Sequence, residues 1–419
     1  MGRLDVSVVA AKRAPTVIMN ACLINGAKEP VDGAVSEADM VRTMRKVGVI
    51  ALVPDEWEGG WMPRHHVVSR LAPNFDIVWV SPAEHWREHW VPGRSRFLEP
   101  QRFAEIAPRF SVMTSGRRWP QIFRPAWLQR WVTRSRLRAA RGYLIERGAK
   151  QIILYLWRPE FADTIDLVRH DASCYHIDDE YSFSDVELPN SMQETELIRK
   201  VDQVIVHSTR LMEKKGSINP NTALVPNGVD YEAFATPRAE PPDLASVPRP
   251  RIGYVGVIKK QLDLALLLRL ARARGDWNFV MVGPARNVTE KEDTLAGLRA
   301  LPNVHFLGEK PVRALSAYTQ HMDVCLMCYE VNDYVKYIYP MKLHEYLASG
   351  RPVVATPIDS VVEHGDVIAL AQTDAEWITA IEQALLQPDD AQRRARQERA
   401  RTYDWNKLAS QVGALLLDA

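Results

Sequence analysis

Cysteine is scarce in this chain, with four among 419 residues, which is too few for a disulfide framework. We therefore expect a reducing compartment such as the cytoplasm. Cys325 and Cys328 form a C-x-x-C pair, but they lie in an apolar run with no second pair nearby. This context favours a buried strand over a zinc or redox site.

Long apolar runs and an excess of one charge are also missing. No segment approaches the ~18 uncharged apolar residues that span a bilayer. Met1–Pro15 lacks the apolar core and cleavage site of a signal peptide, so we interpret it as a loose leader. Lys and Arg number 53 against 52 Asp and Glu, a formal net charge of +1. Binding of nucleic acid by the charge of the whole protein is therefore not expected.

Short runs rich in β-branched residues alternate with helical patterns, which predicts parallel strands covered by helices on both faces. The predicted strands of the first block are Lys46–Val53, Phe75–Val80, Gln151–Leu156, Ala172–Ile177 and Gln203–His207. Those of the second block are Arg251–Val255, Asn278–Val282, Val304–Leu307, Asp323–Cys328 and Pro352–Ala355. Between the blocks, Thr236–Arg251 contains five prolines, and this predicts an extended linker.

The predicted fold is therefore α/β, with two doubly wound, Rossmann-like domains that face a central cleft. Ligands of such sheets bind at the carboxyl ends of the strands. We place the first domain at 1–235, the linker at 236–251, the second domain at 252–395 and a C-terminal helix at 396–419. Neither G-x-G-x-x-G nor G-x-x-x-x-G-K-[ST] occurs in the chain, which argues against a dehydrogenase and a P-loop NTPase.

The segment from Pro340 to Gly350 predicts one short helix, because Pro340 suits the first helical position and Gly350 the position after the end. Lys342 lies in its first turn, and Glu345 lies one turn on, on the same face. A helix N-terminus with a lysine suits a diphosphate. A carboxylate ~4.5 Å further along, at ~1.5 Å per residue, can accept from both ribose hydroxyls. A surface Lys–Glu pair explains the same pattern, and chemistry alone leaves both interpretations open.

The stretch Tyr337–Thr356 resembles the donor-binding helix of GT-B glycosyltransferases, especially the bacterial surface-polysaccharide enzymes of family 4, or group 1. Other segments that resemble this family follow in its order: Val225–Asp230, Ile252–Gly256, Val280–Pro284 and Asn303–Gly308. The resemblance implies a GT-B fold whose C-terminal helix packs back toward the first domain. It also implies a metal-independent hexosyltransferase of class EC 2.4. The donor would be a nucleotide diphosphate-sugar, which we expect to be a UDP-sugar. The acceptor would be a hydroxyl of a glycan or lipid-linked molecule, and no cofactor would be needed.

The resemblance extends to individual donor-binding residues. Lys259 or Lys260, after the loop at Gly256, would neutralise the phosphates, although a solvated lysine pair is the alternative. Gly59 and Gly60 follow the first strand, where backbone N–H groups can approach a phosphate closely, although an ordinary turn fits as well. The other predicted donor-binding residues are Gly256, Gly283, Glu309, Tyr339, Pro340 and Leu343. No D-x-D occurs in the chain, so lysines and the helix dipole would replace the metal ion of other glycosyltransferases.

The end of one first-domain strand, Tyr175–Glu180, supplies the candidate proton acceptors. Asp178 is the leading candidate, followed by His176 and Asp179. Charged residues that cap the following turn are the alternative.

Retaining members of the resembling family carry two glutamates eight residues apart. The position of the first is occupied here by Tyr337, which leaves the donor sugar and the stereochemical outcome open. Glu330 or Asp333 could replace that glutamate by a loop shift. A nucleotide-sugar 2-epimerase of the same fold and a non-catalytic sugar-nucleotide binding subunit are the alternative functions.

The segment Arg118–Arg141 is rich in arginine and contains Trp119, Trp127 and Trp131 but no acidic residue. Basic, aromatic amphipathic segments bind anionic membrane surfaces. A helix that packs its Trp face on the sheet is the alternative. Arg and Trp also occur together in nucleic-acid sites, but no recognition fold supports such a partner here. We expect a cytoplasmic location, with peripheral attachment to the inner face of the membrane under the first interpretation.

Overall fold

The computed structural model describes residues 46–83, 85, 102–115, 119–181, 191–386 and 390–419. The predicted leader and Arg118 lie outside these ranges. Two β-sheets organise the described part of the chain, and helices cover both faces of each. This arrangement confirms the predicted α/β fold of two doubly wound domains.

The first sheet has the order β3-β4-β2-β1-β5-β6-β7-β8 and is parallel except for the antiparallel pair β3 and β4. Its strands are β1 (Val47–Leu52), β2 (Asp76–Val80), β3 (Arg102–Ala107), β4 (Phe110–Thr114), β5 (Gln151–Leu156), β6 (Ala172–Ile177), β7 (Gln203–Val206) and β8 (Thr222–Leu224). All five strands predicted for this block are present. β3, β4 and β8 were not predicted, because their sequences lack a long apolar run.

The second sheet is parallel throughout, with the order β11-β10-β9-β12-β13-β14. Its strands are β9 (Arg251–Val255), β10 (Asn278–Val282), β11 (Val304–Gly308), β12 (Val324–Met327), β13 (Val353–Ala355) and β14 (Ala369–Leu370). The five predicted strands are confirmed, and only the two-residue β14 was missed. Cys325 lies in β12 and Cys328 follows it, both fully buried, which confirms the interpretation of this pair as part of a strand.

Helices connect the strands and pack on both sheet faces. The first helices along the chain are α1 (Pro63–Leu71), α2 (Ala126–Glu146), α3 (Ser191–Lys200), α4 (Thr209–Lys215) and α5 (Tyr231–Ala235), of which α5 packs in the core of the second domain. The later helices are α6 (Pro242–Ala245), α7 (Leu264–Ala273), α8 (Glu292–Arg299), α9 (Leu315–Gln320), α10 (Met341–Ala348), α11 (Asp359–Val362), α12 (Asp374–Leu386), α13 (Asp390–Thr402) and α14 (Trp405–Asp418). No helix among the described residues is long and apolar enough to cross a membrane.

Alternate residues of β1 pack in two different core clusters. Val49 and Ala51 face the cluster that includes α1 and α14, whereas Ile50 and Leu52 face the cluster that includes α2. Successive side chains of a strand point to opposite faces, so a central strand buried on both sides must be apolar throughout. This requirement is why the sequence located β1 correctly.

The proline-rich segment between the domains is not extended throughout, which corrects the linker prediction. α6 interrupts it, and Asp243 of this helix accepts a hydrogen bond from Tyr318 and pairs with Lys310 at 2.7 Å. Pro242 lies at the start of α6, a position that proline tolerates because no N–H is needed there. The segment is therefore attached to the second domain.

The C-terminal helix α14 returns to the first domain, as predicted. Trp405, Leu408 and Val412 belong to the same core cluster as Leu71 and Phe75 of the first domain. The predicted helix at 396–419 is divided between α14 and the preceding α13, in which only Arg396 and Ala400 are buried. The chain terminus thus contributes to the core beneath the first sheet.

Trp405→Ala is expected to destabilise the protein, because the side chain is 2% exposed and truncation leaves a cavity. We expect a loss of ~3–5 kcal/mol in the free energy of unfolding. Trp127→Ala is the matched control, since that side chain is 69% exposed and its loss should change stability by less than ~0.5 kcal/mol. Urea denaturation of both variants measures the difference, and equal losses would contradict the assigned packing of α14.

Candidate active site

The start of α10 lies against the carboxyl end of β9. The hydroxyl of Tyr346 accepts a hydrogen bond from the backbone N–H of Val255 at 2.9 Å and so joins α10 to the end of β9. Pro340 is the residue that precedes the helix rather than its first residue, which shifts the predicted boundary by one. Gly350 has φ +70° just after the helix end, as the sequence predicts.

Two glycines allow this close approach. A Cβ on Gly256 would lie 1.9 Å from Cε of Lys342, and one on Gly283 would lie 2.1 Å from the carbonyl oxygen of Gly256. Both glycines have positive φ, +143° and +135°, where other residues are strained. The structure therefore brings Gly256, Gly283 and Lys342 together at one edge of the second sheet.

Lys342 is a partly buried cation without a carboxylate partner among the described residues. Its Nζ lies 5.5 Å from the ring centre of Tyr254. Burial lowers the pKa of Lys342; Glu345 opposes this shift and Lys259 adds to it. Burial also raises the pKa of Glu345, against the influence of Lys342. A bound anion would supply the countercharge that Lys342 lacks.

The structure distinguishes between the two lysines after Gly256. Both are exposed. Lys259 is the one whose charge acts on Lys342, while the backbone carbonyl of Lys260 accepts a hydrogen bond from Lys291 at 2.6 Å. Lys259 is therefore the better placed of the two to act together with Lys342.

The remaining predicted donor-site residues fall into two groups. Leu343 is fully buried and Tyr339 nearly so, and the carbonyl oxygen of Tyr339 accepts from Asn227 at 2.8 Å. Both side chains are packed in the interior, and their role at the donor stays a prediction. Glu309 is exposed at the end of β11 and pairs with Arg286 at 2.9 Å. Glu309 lies close to Gly283, because the backbone N–H of Gly283 donates a hydrogen bond to the carbonyl oxygen of the preceding residue, Gly308, at 2.8 Å.

The loop after β1 presents Gly59 and Gly60, both exposed and neither with positive φ. The backbone of this loop is therefore exposed, and its two glycines do not adopt a left-handed turn conformation. His65 and His66 follow in α1 and both pack. The ring of His66 stacks on Trp405 at 5.4 Å, and burial lowers its pKa to about 3.

Asp178 and His176 at the end of β6 are buried in the first domain. Arg64 and Tyr181 both donate hydrogen bonds to the carboxylate of Asp178. Burial would raise the pKa of Asp178, but two guanidinium groups and the Tyr181 hydroxyl together lower it. Burial lowers the pKa of His176 to about 3, and its ring lies 4.0 Å from that of Trp157. Asp178 and His176 therefore have structural contacts within the first domain, and their catalytic role stays a prediction.

Asp179, the third candidate, reaches the second domain. The hydroxyl of Tyr334 donates to its two carboxylate oxygens at 3.0 and 3.1 Å. Burial and the neighbouring Asp178 raise the pKa of Asp179. Sequence reasoning missed Tyr334 and Arg64, since nothing in the pattern links either residue to a strand end so distant in the chain.

Tyr337, at the position of the first glutamate, lies between the domains. Its carbonyl oxygen accepts from Ser208 at 3.2 Å, and Nζ of Lys214 lies 5.0 Å from its ring centre. The two suggested substitutes are already paired, Glu330 with Lys291 and Asp333 with Lys336. Their predicted role as replacements therefore finds no support in these contacts.

The helix α2 carries the basic, aromatic segment. Trp127 and Trp131 are 69% and 55% exposed, whereas Val132, Leu137 and Leu144 form the buried face. This exposure excludes the alternative in which the Trp face packs on the sheet. Arg130, Arg134 and Arg138 are exposed beside the two tryptophans.

Comparison with known proteins agrees with this geometry. Residues 249–387 match the family described as Glycosyl transferases group 1. A Bacillus subtilis protein described as putative teichuronic acid biosynthesis glycosyltransferase TuaH is 31% identical over 230 residues, which cover 52% of this chain and 57% of that protein. The chain thus spans little more than half the length of this relative.

Solved structures support the fold over most of the chain. A trehalose-6-phosphate protein from E. coli bound with UDP-2-fluoro glucose has a TM-score of 0.64 at 12% identity and covers 88% of this chain and 99% of its own. Anabaena Alr3699/HepE in complex with UDP and glucose has a TM-score of 0.60 at 16% identity, with coverages of 90% and 100%. The chain therefore has the two-domain GT-B fold of these structures, and its residues 249–387 are similar to the group 1 glycosyl transferases.

Proposed function

We propose that this protein is a glycosyltransferase that moves a hexose from a nucleotide diphosphate-sugar to a hydroxyl of a glycan or lipid-linked acceptor. The observation that carries the proposal is the unpaired, partly buried Lys342 at the start of α10, with Glu345 one turn further on. The match of this region to the group 1 family supports it.

The donor diphosphate would bind at the N-terminus of α10. Its charge would meet Lys342, Lys259 and the free N–H groups of the first helical turn. These groups also stabilise the negative charge that develops on the departing nucleotide, the role that a metal ion has in other enzymes. Glu345 would accept hydrogen bonds from both ribose hydroxyls.

A UDP-sugar is the proposed donor, because the Anabaena and E. coli neighbours were both solved with a uridine nucleotide. The name of the Bacillus subtilis relative supports a surface polysaccharide as the product. The proposed acceptor is accordingly a growing glycan of this kind, free or linked to a lipid.

We assign the proton acceptor to the end of β6. Of the candidates there, Asp179 reaches the cleft between the domains through Tyr334. Its raised pKa makes it a stronger base than Asp178, whose pKa is lowered by its ion pairs. Asp178 would then position Arg64 and the loop after β1, to which Arg64 is bonded through Asp55.

An anionic membrane is the proposed binding surface for α2. The exposed Trp127 and Trp131 suit the interface between lipid headgroups and chains, and three arginines beside them suit anionic headgroups. Because the cytoplasmic leaflet carries these lipids, we place the protein on the inner face of the cytoplasmic membrane.

Incubation with UDP-sugars and a glycan acceptor tests the activity directly. We expect transfer of the sugar, and we expect it to survive EDTA because protein cations neutralise the leaving group. Analysis of the products separates the alternatives, since an epimerase inverts C2 of the donor and a non-catalytic subunit leaves it unchanged. Loss of transfer on chelation, restored by Mg²⁺ or Mn²⁺, would contradict the metal-independent mechanism.

Glu345→Gln is expected to weaken the binding of the nucleoside diphosphate about tenfold or more. The carboxylate accepts two charge-assisted hydrogen bonds, each contributing ~1.5–3 kcal/mol, and the amide offers one acceptor fewer. Calorimetric titration with UDP and GDP measures the affinity, with thermal melting as a test of folding. Glu146→Gln, an exposed change in the first domain, is the control. Unchanged affinity in Glu345→Gln would remove Glu345 from the site.

Reversal of Arg130, Arg134 and Arg138 to Glu should weaken binding to anionic liposomes, by about 1 kcal/mol for each basic residue near the surface. Sedimentation with phosphatidylserine vesicles at low salt measures this. The control reverses three exposed arginines of the second domain, Arg272, Arg313 and Arg394, and so makes the same change in net charge. Equal sedimentation of the two variants would contradict a specific role for α2.

A further inference from the structure

A cavity of about 430 Å³ opens at the carboxyl ends of β1 and β2, and none of the donor-site residues lines it. α2 forms one side, and the 3₁₀ turn Pro159–Asp166, which follows β5, forms another. β1 lies between β2 and β5, and α1 and α2 pack on opposite faces of the sheet there. Doubly wound sheets bind ligands at such a change in winding direction.

Arg136 of α2 is an uncompensated cation at this cavity. One terminal nitrogen, Nη2, donates to the carbonyl oxygen of Ser81 at 2.8 Å. Nε is buried and has no hydrogen-bond acceptor. Within the described part of the chain, no carboxylate forms an ion pair with this guanidinium. Burial lowers the pKa of Arg136 to about 10, so that it remains charged at neutral pH.

The acidic residues of the cavity lie at its rim rather than beside Arg136. Glu160 and Asp163 are both exposed, and Asp163 is 3.8 Å from Arg130, which also lies at the rim. Solvent screens these charges, whereas the charge inside is desolvated. An oxyanion that entered the cavity would therefore gain charge-assisted hydrogen bonds from Arg136, whose planar fork matches a phosphate or a carboxylate.

We propose that this cavity is the acceptor subsite and that it selects an anionic sugar, whose phosphate or carboxylate binds Arg136. Gln129 and Thr133, which also line the cavity, supply neutral partners for sugar hydroxyls. The volume lies within the range of small-molecule sites. This inference deepens the glycosyltransferase function proposed above and rests on it.

Calorimetric titration of the full chain with glucose 6-phosphate, glucuronate and glucose tests the subsite. We expect at least one of the two anionic sugars to bind at least tenfold more tightly than glucose, and the one that binds identifies phosphate or carboxylate as the recognised group. Arg136→Gln should lose about tenfold or more of that affinity. Arg169→Gln, an exposed change in the first domain outside the cavity, should retain it.

Arg136→Lys keeps the charge without the fork, and we expect an intermediate affinity from it even if the Gln variant fails to fold. Glucose binding as tightly as both anionic sugars would overturn the proposal. The proposal would also be overturned if neither anionic sugar bound, or if the wild type and both Arg136 variants bound the anionic sugar with equal affinity. Titration with UDP separates the two hypotheses. A protein that binds UDP but no anionic sugar contradicts only the subsite, and one that binds the sugar but not UDP contradicts the donor site.

Discussion

The contact between Lys342 and Gly256 is the constraint on which the proposed site depends. The aliphatic end of the lysine fills the space that any other side chain at position 256 would occupy, so the ammonium group is held at the end of β9. Removing water from this cation costs free energy, and Glu345 offsets only part of that cost because no carboxylate in the described part of the chain forms an ion pair with Lys342. A site that keeps such a cation unpaired is suited to bind an anion, and the N-terminus of α10 adds its dipole at the same place.

The two domains are joined by several contacts that border this site. Asp179 bonds to Tyr334, Ser208 bonds to the carbonyl oxygen of Tyr337, and Asn227 bonds to that of Tyr339. All three partners in the second domain precede α10, so the segment that positions the donor helix is itself held by the first domain. The packing of α14 on the first domain adds an apolar link between the two. These contacts hold the end of β6 beside the segment that leads into α10.

The sequence predicted ten of the strands to within two residues, because central strands buried on both faces must be continuous apolar runs. It missed β3 and β4, since an antiparallel edge pair needs no such run, and β3 is mostly exposed. The helix and its Lys342 were predictable from local signals at Pro340 and Gly350. The ion pair of Asp178 with Arg64 was not predictable from the sequence, because it joins residues far apart in the chain. The exposure of Trp127 and Trp131 also depends on which face of α2 meets the sheet, and the sequence left that choice open.

A crystal structure of the protein soaked with UDP tests the central claim most directly. Our account predicts the diphosphate at the N-terminus of α10, in contact with Nζ of Lys342 and the backbone near Gly256, and both ribose hydroxyls bonded to Glu345. Nucleotide bound elsewhere in the cleft, or at the α10 N-terminus with Lys342 turned away from the phosphates, would contradict it.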